Sequence, residues 1–249
     1  MAQNDGTRSP GKMKIEIIKN GPYYVSGGVP LVRKTQVVSE HGEPLTWKKQ
    51  GSIECEEEYK LCRCGQSANK PFCDDTHLQV DFDGSERADT TARRANLSPF
   101  AARRKIIVEK NGSLCMLSGF CGFANAGIFE LQARAGEDTQ IRSLVIAMVE
   151  RCPSGALTYR LEPDEPAIEP DLPPQIADTT EITEDGPIAG PLWVTGAIPI
   201  ERSDGQPFAP RNRVTLCNCG QSRNKPLCDG THRAKAEQEA RARRRSGEG

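Results

Sequence analysis

Between Ile15 and Val38 short apolar runs alternate with Gly and Pro, most clearly in Asn20-Gly21-Pro22-Tyr23-Tyr24-Val25-Ser26-Gly27-Gly28-Val29-Pro30-Leu31. This is the pattern of short strands separated by turns. The phrase returns as Gly190-Pro191-Leu192-Trp193-Val194-Thr195-Gly196-Ala197-Ile198-Pro199-Ile200. A cluster of Cys and His follows each copy, so a β-rich part and a downstream loop are repeated as one unit. The first copy holds about fourteen more residues between the two parts, among them His41, Trp47 and Cys55, which predicts an insertion there.

A different pattern occupies the middle of the chain. Arg103-Arg104-Lys105-Ile106-Ile107-Val108-Glu109 reads as an exposed basic turn leading into a strand. From Ile141 to Val149 apolar residues recur at helical spacing around Arg142 and Ser143 and run on to Cys152-Pro153, which predicts a helix that delivers Cys152 at its end. Residues 163–187 are rich in Pro, Asp and Glu and predict an extended linker. Residues 233–249, mostly Ala, Arg and Glu, predict a solvated helix in a polar tail, and residues 1–14 a disordered leader.

Composition changes this picture in two ways. With 36% hydrophobic and 5% aromatic residues, one large core is poorly supplied, and several small metal-held units fit better. A net charge of −1 gives no global attraction to nucleic acid or to an anionic membrane. Ten cysteines, with no secretory leader and no apolar run long enough to span a bilayer, point to reduced thiolates in the cytoplasm.

The thiols are patterned. Cys217, Cys219, Cys228 and His232 are spaced as C-x-C-x8-C-x3-H, and Cys62, Cys64, Cys73 and His77 repeat that spacing without a gap. Each set suffices for one tetrahedral ion or one two-iron cluster. Zinc sites usually pair their cysteines as C-x2-C, whereas the pairs here are C-x-C. A two-iron cluster divides such a set evenly, two cysteines on one iron and Cys plus His on the other. A structural zinc site remains the alternative.

The fuller pattern C-x-C-x2-S-x3-P-x-C-D-x-T-H resembles the CDGSH iron–sulfur family. The resemblance implies one [2Fe–2S] cluster held by Cys217, Cys219, Cys228 and His232 and a second held by Cys62, Cys64, Cys73 and His77. Ser67 and Ser222, Pro71 and Pro226, and Asp74 and Asp229 also match the family pattern. One position departs: the Gly after Cys-Asp is Gly230 in one copy and Asp75 in the other. A positive φ is expected there, which Asp tolerates better than most residues. The added carboxylate is expected to lower the potential of the first cluster relative to the second, and equal potentials would refute this. Asp74 and Asp229 are expected to accept backbone N–H bonds at the start of a short helix that aims the His. In the family two protomers exchange strands to form a β-cap. The resemblance therefore implies an intramolecular pseudo-dimer, with Tyr23, Tyr24 and Trp193 in its core.

Between the copies lie Cys115, Cys121 and, after a gap, Cys152-Pro153, with Ser118 where a ferredoxin loop has its middle cysteine. The segment resembles single-cluster ferredoxins and the divergent ferredoxin-like domain found beside CDGSH motifs. Three thiolates suit a [3Fe–4S] cluster; a [4Fe–4S] cluster needs Ser118, water or another fourth ligand. A degenerate domain with buried apolar cysteines is the alternative. Cys55 is expected to be a free thiol and His41 a surface residue.

These readings give an α+β chain: CDGSH-type domains at 15–101 and 188–235, an inserted ferredoxin-like domain at 102–162, the linker at 163–187 and the tail at 236–249. No Ser-His-Asp set, phosphate-cradling Gly loop or paired carboxylates in an apolar setting are present, so the chain is not expected to be an enzyme. Electron transfer is the expected function, with cluster storage or delivery as the alternative. Expected partners are redox proteins or apo iron–sulfur acceptor proteins, with no nucleic acid and no membrane, and the expected state is a monomer.

Overall fold

The computed structural model describes residues 12–91, 96–97, 106–124 and 126–246. Most of the leader at 1–14 and all of the basic turn at 103–105 lie outside these residues. The N-terminal part forms β1 (Lys14–Ile17), β2 (Tyr23–Ser26), β3 (Leu31–Val38), β4 (Pro44–Ile53) and β5 (Tyr59–Leu61). The middle part forms β6 (Asn96–Leu97), β7 (Ile107–Lys110), β8 (Gly122–Phe123), β9 (Ala126–Gly127), α1 (Ile128–Arg134), α2 (Thr139–Arg151) and β10 (Leu157–Arg160). The C-terminal part forms β11 (Gln175–Thr183), β12 (Gly186–Thr195), β13 (Ile200–Glu201), β14 (Arg213–Leu216) and α3 (Thr231–Ser246). The fold is mixed α+β, with small sheets and, among the described residues, three α-helices.

The repeated phrases occupy equivalent places. In the order β13-β1-β2-β5 the first copy's three strands are antiparallel neighbours, and in β14-β12-β11-β3-β4 the second copy's β11, β12 and β14 are arranged alike. Each sheet is then extended by a parallel strand from the other copy. Ile200 of β13 pairs with Ile15 of β1, and Leu31 of β3 pairs with Ile176 of β11. The entering bonds are equivalent as well: Ile15 N donates to Pro199 O and Ile176 N to Pro30 O, both at 2.9 Å. Both incoming strands follow the repeated Gly-x-x-Pro turn, whose Pro carbonyl is left free to accept.

Three expectations change. Residues 175–187, assigned to a linker, form β11 and enter β12, the longest antiparallel pair of the second copy. Their Asp, Glu and Thr residues disguise a strand buried on both faces, with Ile176 on the large cluster and Ala177 on the small one, and Thr179 and Glu181 buried as well. The buried apolar side chains also gather mainly in one unit, beside a small second cluster of Val32, Ala177 and Trp193. One continuous cluster runs from Ile15 and Val25 through Val108, Val145 and Leu157 to Val194 and Leu216. Aliphatic residues supply it, and strand exchange joins what two separate copies would bury apart. Finally, α3 runs through the expected boundary between the second domain and the polar tail.

The expected insertion in the first copy lengthens β3 relative to β13 and adds β4. Trp47 on β4 packs against Phe120 of the middle part and Trp193 of β12, with ring centroids 5.7 Å apart in both cases. The hairpin thus fastens the middle part to the second copy. Tyr23 and Trp193 are buried and Tyr24 is half-buried. His41 is exposed near the turn of that hairpin, and Cys55 is an exposed free thiol.

Candidate metal centres

Each Cys/His loop is held by the strand that precedes it. Cys62 N donates to Pro71 O at 2.8 Å and Cys73 N to Lys60 O at 2.9 Å; the second copy repeats this with Cys217 N to Pro226 O at 2.7 Å and Cys228 N to Thr215 O at 2.9 Å. The loop between the cysteines is closed by a hydroxyl. Ser67 Oγ donates to Phe72 O, and Ser222 Oγ to Leu227 O, both at 2.7 Å. The first and third ligands of each motif are therefore fixed by backbone geometry before any metal is present.

Asp74 and Asp229 accept backbone N–H bonds, with one refinement. Asp74 Oδ1 takes Thr76 N and Oγ1 while Oδ2 takes Ala68 N at 2.8 Å; Asp229 does the same with Thr231 and with Arg223 N at 2.9 Å. The residue immediately before the helical turn is Asp75 in one copy and Gly230 in the other, both at the expected positive φ, 63° and 85°. The motif Asp therefore clamps the loop to the turn rather than capping the helix itself. The Thr76 hydroxyl, followed by the Ala68 N–H, holds the Asp74 carboxyl down to about 2. Burial works against Asp229, but the Thr231 hydroxyl and the Arg223 N–H still bring it below its ordinary value. Asp75 Oδ1 lies 3.8 Å from Cys73 Sγ, which adds negative charge at the first motif. Arg63, between Cys62 and Cys64 in sequence and replaced by Asn218 in the other copy, is buried and turns its guanidinium to Gly84 O at 2.7 Å.

The ligand atoms stand in pairs. Cys62 Sγ and Cys64 Sγ are 3.8 Å apart, and Cys73 Sγ is 3.5 Å from His77 Nδ1. In the second motif the corresponding separations are 3.7 Å and 3.4 Å. Two thiolates bound at about 2.3 Å to one tetrahedral ion stand about 3.8 Å apart, and a thiolate and an imidazole nitrogen at about 2.0 Å stand about 3.5 Å apart. Each pair thus matches one metal atom. The four ligands of a motif do not converge on a single point. Among the described residues, the set of three ligand-type side chains whose atoms all lie within 4.8 Å is Cys73, Asp75 and His77.

Four of the metal-free motif thiols, Cys64, Cys73, Cys219 and Cys228, resist ionisation. Burial pushes Cys64 and Cys73 up, and Cys228 well above its ordinary value. Cys219 donates to Cys217, which brings Cys217 down to about 6 while holding the proton on Cys219. Metal entry must therefore displace protons.

The two loops touch each other. A Cβ added at Gly65 would lie 2.3 Å from Cys219 O, and one at Gly220 would lie 2.2 Å from Cys64 O. Tyr23, in the first copy, donates its hydroxyl to Cys217 O at 2.8 Å and to Pro226 O at 3.1 Å in the second.

Cys115, Cys121 and Cys152 all border the common core, with Cys152 buried at the C-terminal end of α2 as the helical spacing predicts. Burial first, and then the neighbouring Cys115 and Cys152, keeps the Cys121 thiol above its ordinary value against the pull of Lys110. This segment is docked on the second motif. A Cβ on Gly230 would meet Met116 O at 2.8 Å, and Asn224 Nδ2 donates to Ser113 O at 2.8 Å. Arg213 of β14, fully buried, donates to Val149 O and Leu157 O on either side of Cys152.

Two buried charges near the sites carry no sequence signal: Arg213 and Glu181. Glu181 Oε2 lies 3.3 Å from His232 Nε2 and accepts from Arg233 Nε. His232 is 6% exposed, enclosed by Glu181 and α3, whereas His77 and Cys73 are half-buried. A cleft of about 290 Å³ between α3 and the β11–β12 turn reaches Cys219 and His232 past Lys70, Lys235 and Arg243.

The model of the family described as iron-binding zinc finger CDGSH type matches residues 20–78 and 189–233. The model described as divergent 4Fe-4S mono-cluster matches residues 102–162. No curated protein and no solved structure matches the chain.

Proposed function

We propose a function from this premise: the chain carries two domains of the iron-binding CDGSH family flanking a divergent 4Fe-4S mono-cluster domain, and is an iron–sulfur protein. It is read as an electron-transfer protein in which the two motifs form a pseudo-dimer within one chain. Cys62, Cys64, Cys73 and His77 would hold one [2Fe–2S] cluster, and Cys217, Cys219, Cys228 and His232 the other. Cys115, Cys121 and Cys152 would hold a [3Fe–4S] cluster, or a [4Fe–4S] cluster with a further ligand, in an inserted ferredoxin-like domain. When bound, such clusters supply one-electron oxidation and reduction without bond making.

The paired spacing of the ligand atoms carries this reading. A zinc ion needs four ligands gathered around one point, whereas two pairs, each fitted to its own metal atom, favour two irons. The chain's own residues do the rest. Gln66 N donates to Cys64 Sγ at 3.4 Å, the kind of bond that tunes a thiolate ligand. The symmetric strand exchange supports the pseudo-dimer and a single-chain working unit. No helix among the described residues is long and apolar enough to cross a membrane.

Cluster storage or delivery is the second reading, favoured by the half-buried Cys73 and His77. An imidazole ligates iron only when neutral, so a His ligand makes cluster retention fall as the pH drops. Replacing His232 by Cys is expected to slow acid bleaching of the second cluster about tenfold while leaving the first unaltered. Bleaching is followed by visible absorbance after a jump to acid, and an unchanged slow phase would remove the imidazole from control. Mixing the coloured protein with an apo-ferredoxin separates the two readings, since electrons move in one and colour in the other.

A further inference from the structure

The two motifs, alike in their ligands, differ in what surrounds their His edges. In the second motif the edge is covered except at the cleft beside α3: α3 begins one residue before His232, Glu181 backs the imidazole, and Met116 O and the Leu117 side chain rest on Gly230. In the first motif the chain continues from His77 into Leu78, Gln79 and Val80, all exposed, with Leu78 at 77% and Val80 at 38%. Ile18, 44% exposed, lies beside the same imidazole. A Cβ on Gly21 would lie 2.9 Å from Ile18 Cγ2 and 3.7 Å from His77 Nε2, so Ile18 and the imidazole flank one point. Two exposed large apolar side chains, Ile18 and Leu78, therefore flank one ligand edge, with Val80 two residues further along the chain.

The charge around this patch is mainly negative, although Lys19, next to Ile18, is exposed. Asp74, Asp75 and Asp81 are exposed beside it, and from Pro71 to Glu86 the chain has no Lys or Arg. The corresponding stretch after His232 is opposite in character, with Arg233, Lys235, Arg241, Arg243, Arg244 and Arg245 along α3. An apolar centre with a charged rim at a redox edge is the makeup of a transient protein interface, in which the rim steers the encounter and the apolar centre seats it.

We propose that the Ile18, Leu78 and Val80 patch, with its rim of Asp74, Asp75 and Asp81, is the docking face for a redox protein whose own exposed cofactor edge is apolar and ringed by Lys and Arg. The inference rests on the electron-transfer reading and adds which of the two motifs meets the partner. It excludes the Lys-lined and Arg-lined cleft at α3 as the main port.

Cytochrome c, with its basic ring around the haem edge, is the probe. One electron leaves the dithionite-reduced holoprotein and converts one ferric haem to ferrous, with no proton or bond exchanged. The second-order rate, read by stopped flow, is expected to fall as salt is raised, and to fall about tenfold at low salt in the Leu78→Ser/Asp81→Lys variant. Both positions are exposed, and neither is among the cluster ligands. The Lys235→Glu/Arg243→Glu variant is expected to keep the wild-type rate. Calorimetric titration with zinc-substituted cytochrome c reads binding alone, and is expected to show weakening by the first variant only.

A rate that responds to the α3 variant and not to the Leu78/Asp81 variant overturns the proposal, as does a rate indifferent to salt. If zinc-substituted cytochrome c binds at this face but no electron passes to the haem, the electron-transfer reading fails while the docking face stands. If electrons pass and neither binding nor rate responds at Leu78 and Asp81, the docking face alone fails.

Discussion

Replacing either Gly65 or Gly220 by Ala is expected to destabilise the protein by about 3–5 kcal/mol, which is large for removing no contact at all. Both residues hold positive φ, 81° and 75°, and each faces the other loop's backbone carbonyl rather than a side chain that can swing away. A methyl group within 2.3 Å of Cys219 O, or 2.2 Å of Cys64 O, forces the two ligand loops apart. The two substitutions act on one contact, so the double variant should cost clearly less than the sum of the singles. Urea titrations of the three variants, read by visible absorbance and circular dichroism, check both statements. Single costs below about 1 kcal/mol would mean that the loops are not pressed together as described.

Removing the metal should have an effect of similar size. The apo-protein is expected to lose about 5 kcal/mol or more, a fall in Tm of about 10–20 °C. Burial holds Cys64, Cys73 and Cys228 protonated when no metal balances their charge, and the Cys217 and Cys219 pair shares a proton. Reconstitution releases these protons, so its yield should rise with pH through the neutral range and fall in acid. Thermal melts of holo- and apo-protein, and reconstitution at a series of pH values, test this. An apo-protein that melts within a few degrees of the holo-protein would assign the stability to the shared apolar cluster alone.

The candidate sites were legible because their chemistry is local. Cys62 to His77 and Cys217 to His232 hold all their ligands within a short loop, and identical spacing in two copies repeats the message. The positive φ at Asp75 was visible as well, since the second copy places Gly there. Elements defined by distant partners were not. Strand β11 is written in Asp, Glu and Thr, and its place is set by β12 on one side and by β3, more than a hundred residues upstream, on the other. The low aromatic content suggested separate small units, but exchange of β3 and β13 joins the aliphatic surfaces into one cluster.

The charges beside the ligands were invisible for the same reason. Glu181 reaches His232, and Arg213 reaches Val149 and Leu157, only after the chain has closed over long separations. The docking of Met116 O and the Leu117 side chain on Gly230 is likewise a tertiary event. It makes the two motifs unequal in surroundings although their ligand spacing is the same.

Paired ligands that divide between metal atoms call for iron and sulfide in fixed proportion, and counting the inorganic content of the purified protein tests this most directly. Iron and acid-labile sulfide, measured together with EPR of the reduced and oxidised states, are expected to give about four irons and four sulfides from the two motifs, rising to about seven irons with a signal from the oxidised protein if the middle site holds a [3Fe–4S] cluster. A colourless protein with about two zinc ions per chain and no sulfide would contradict it.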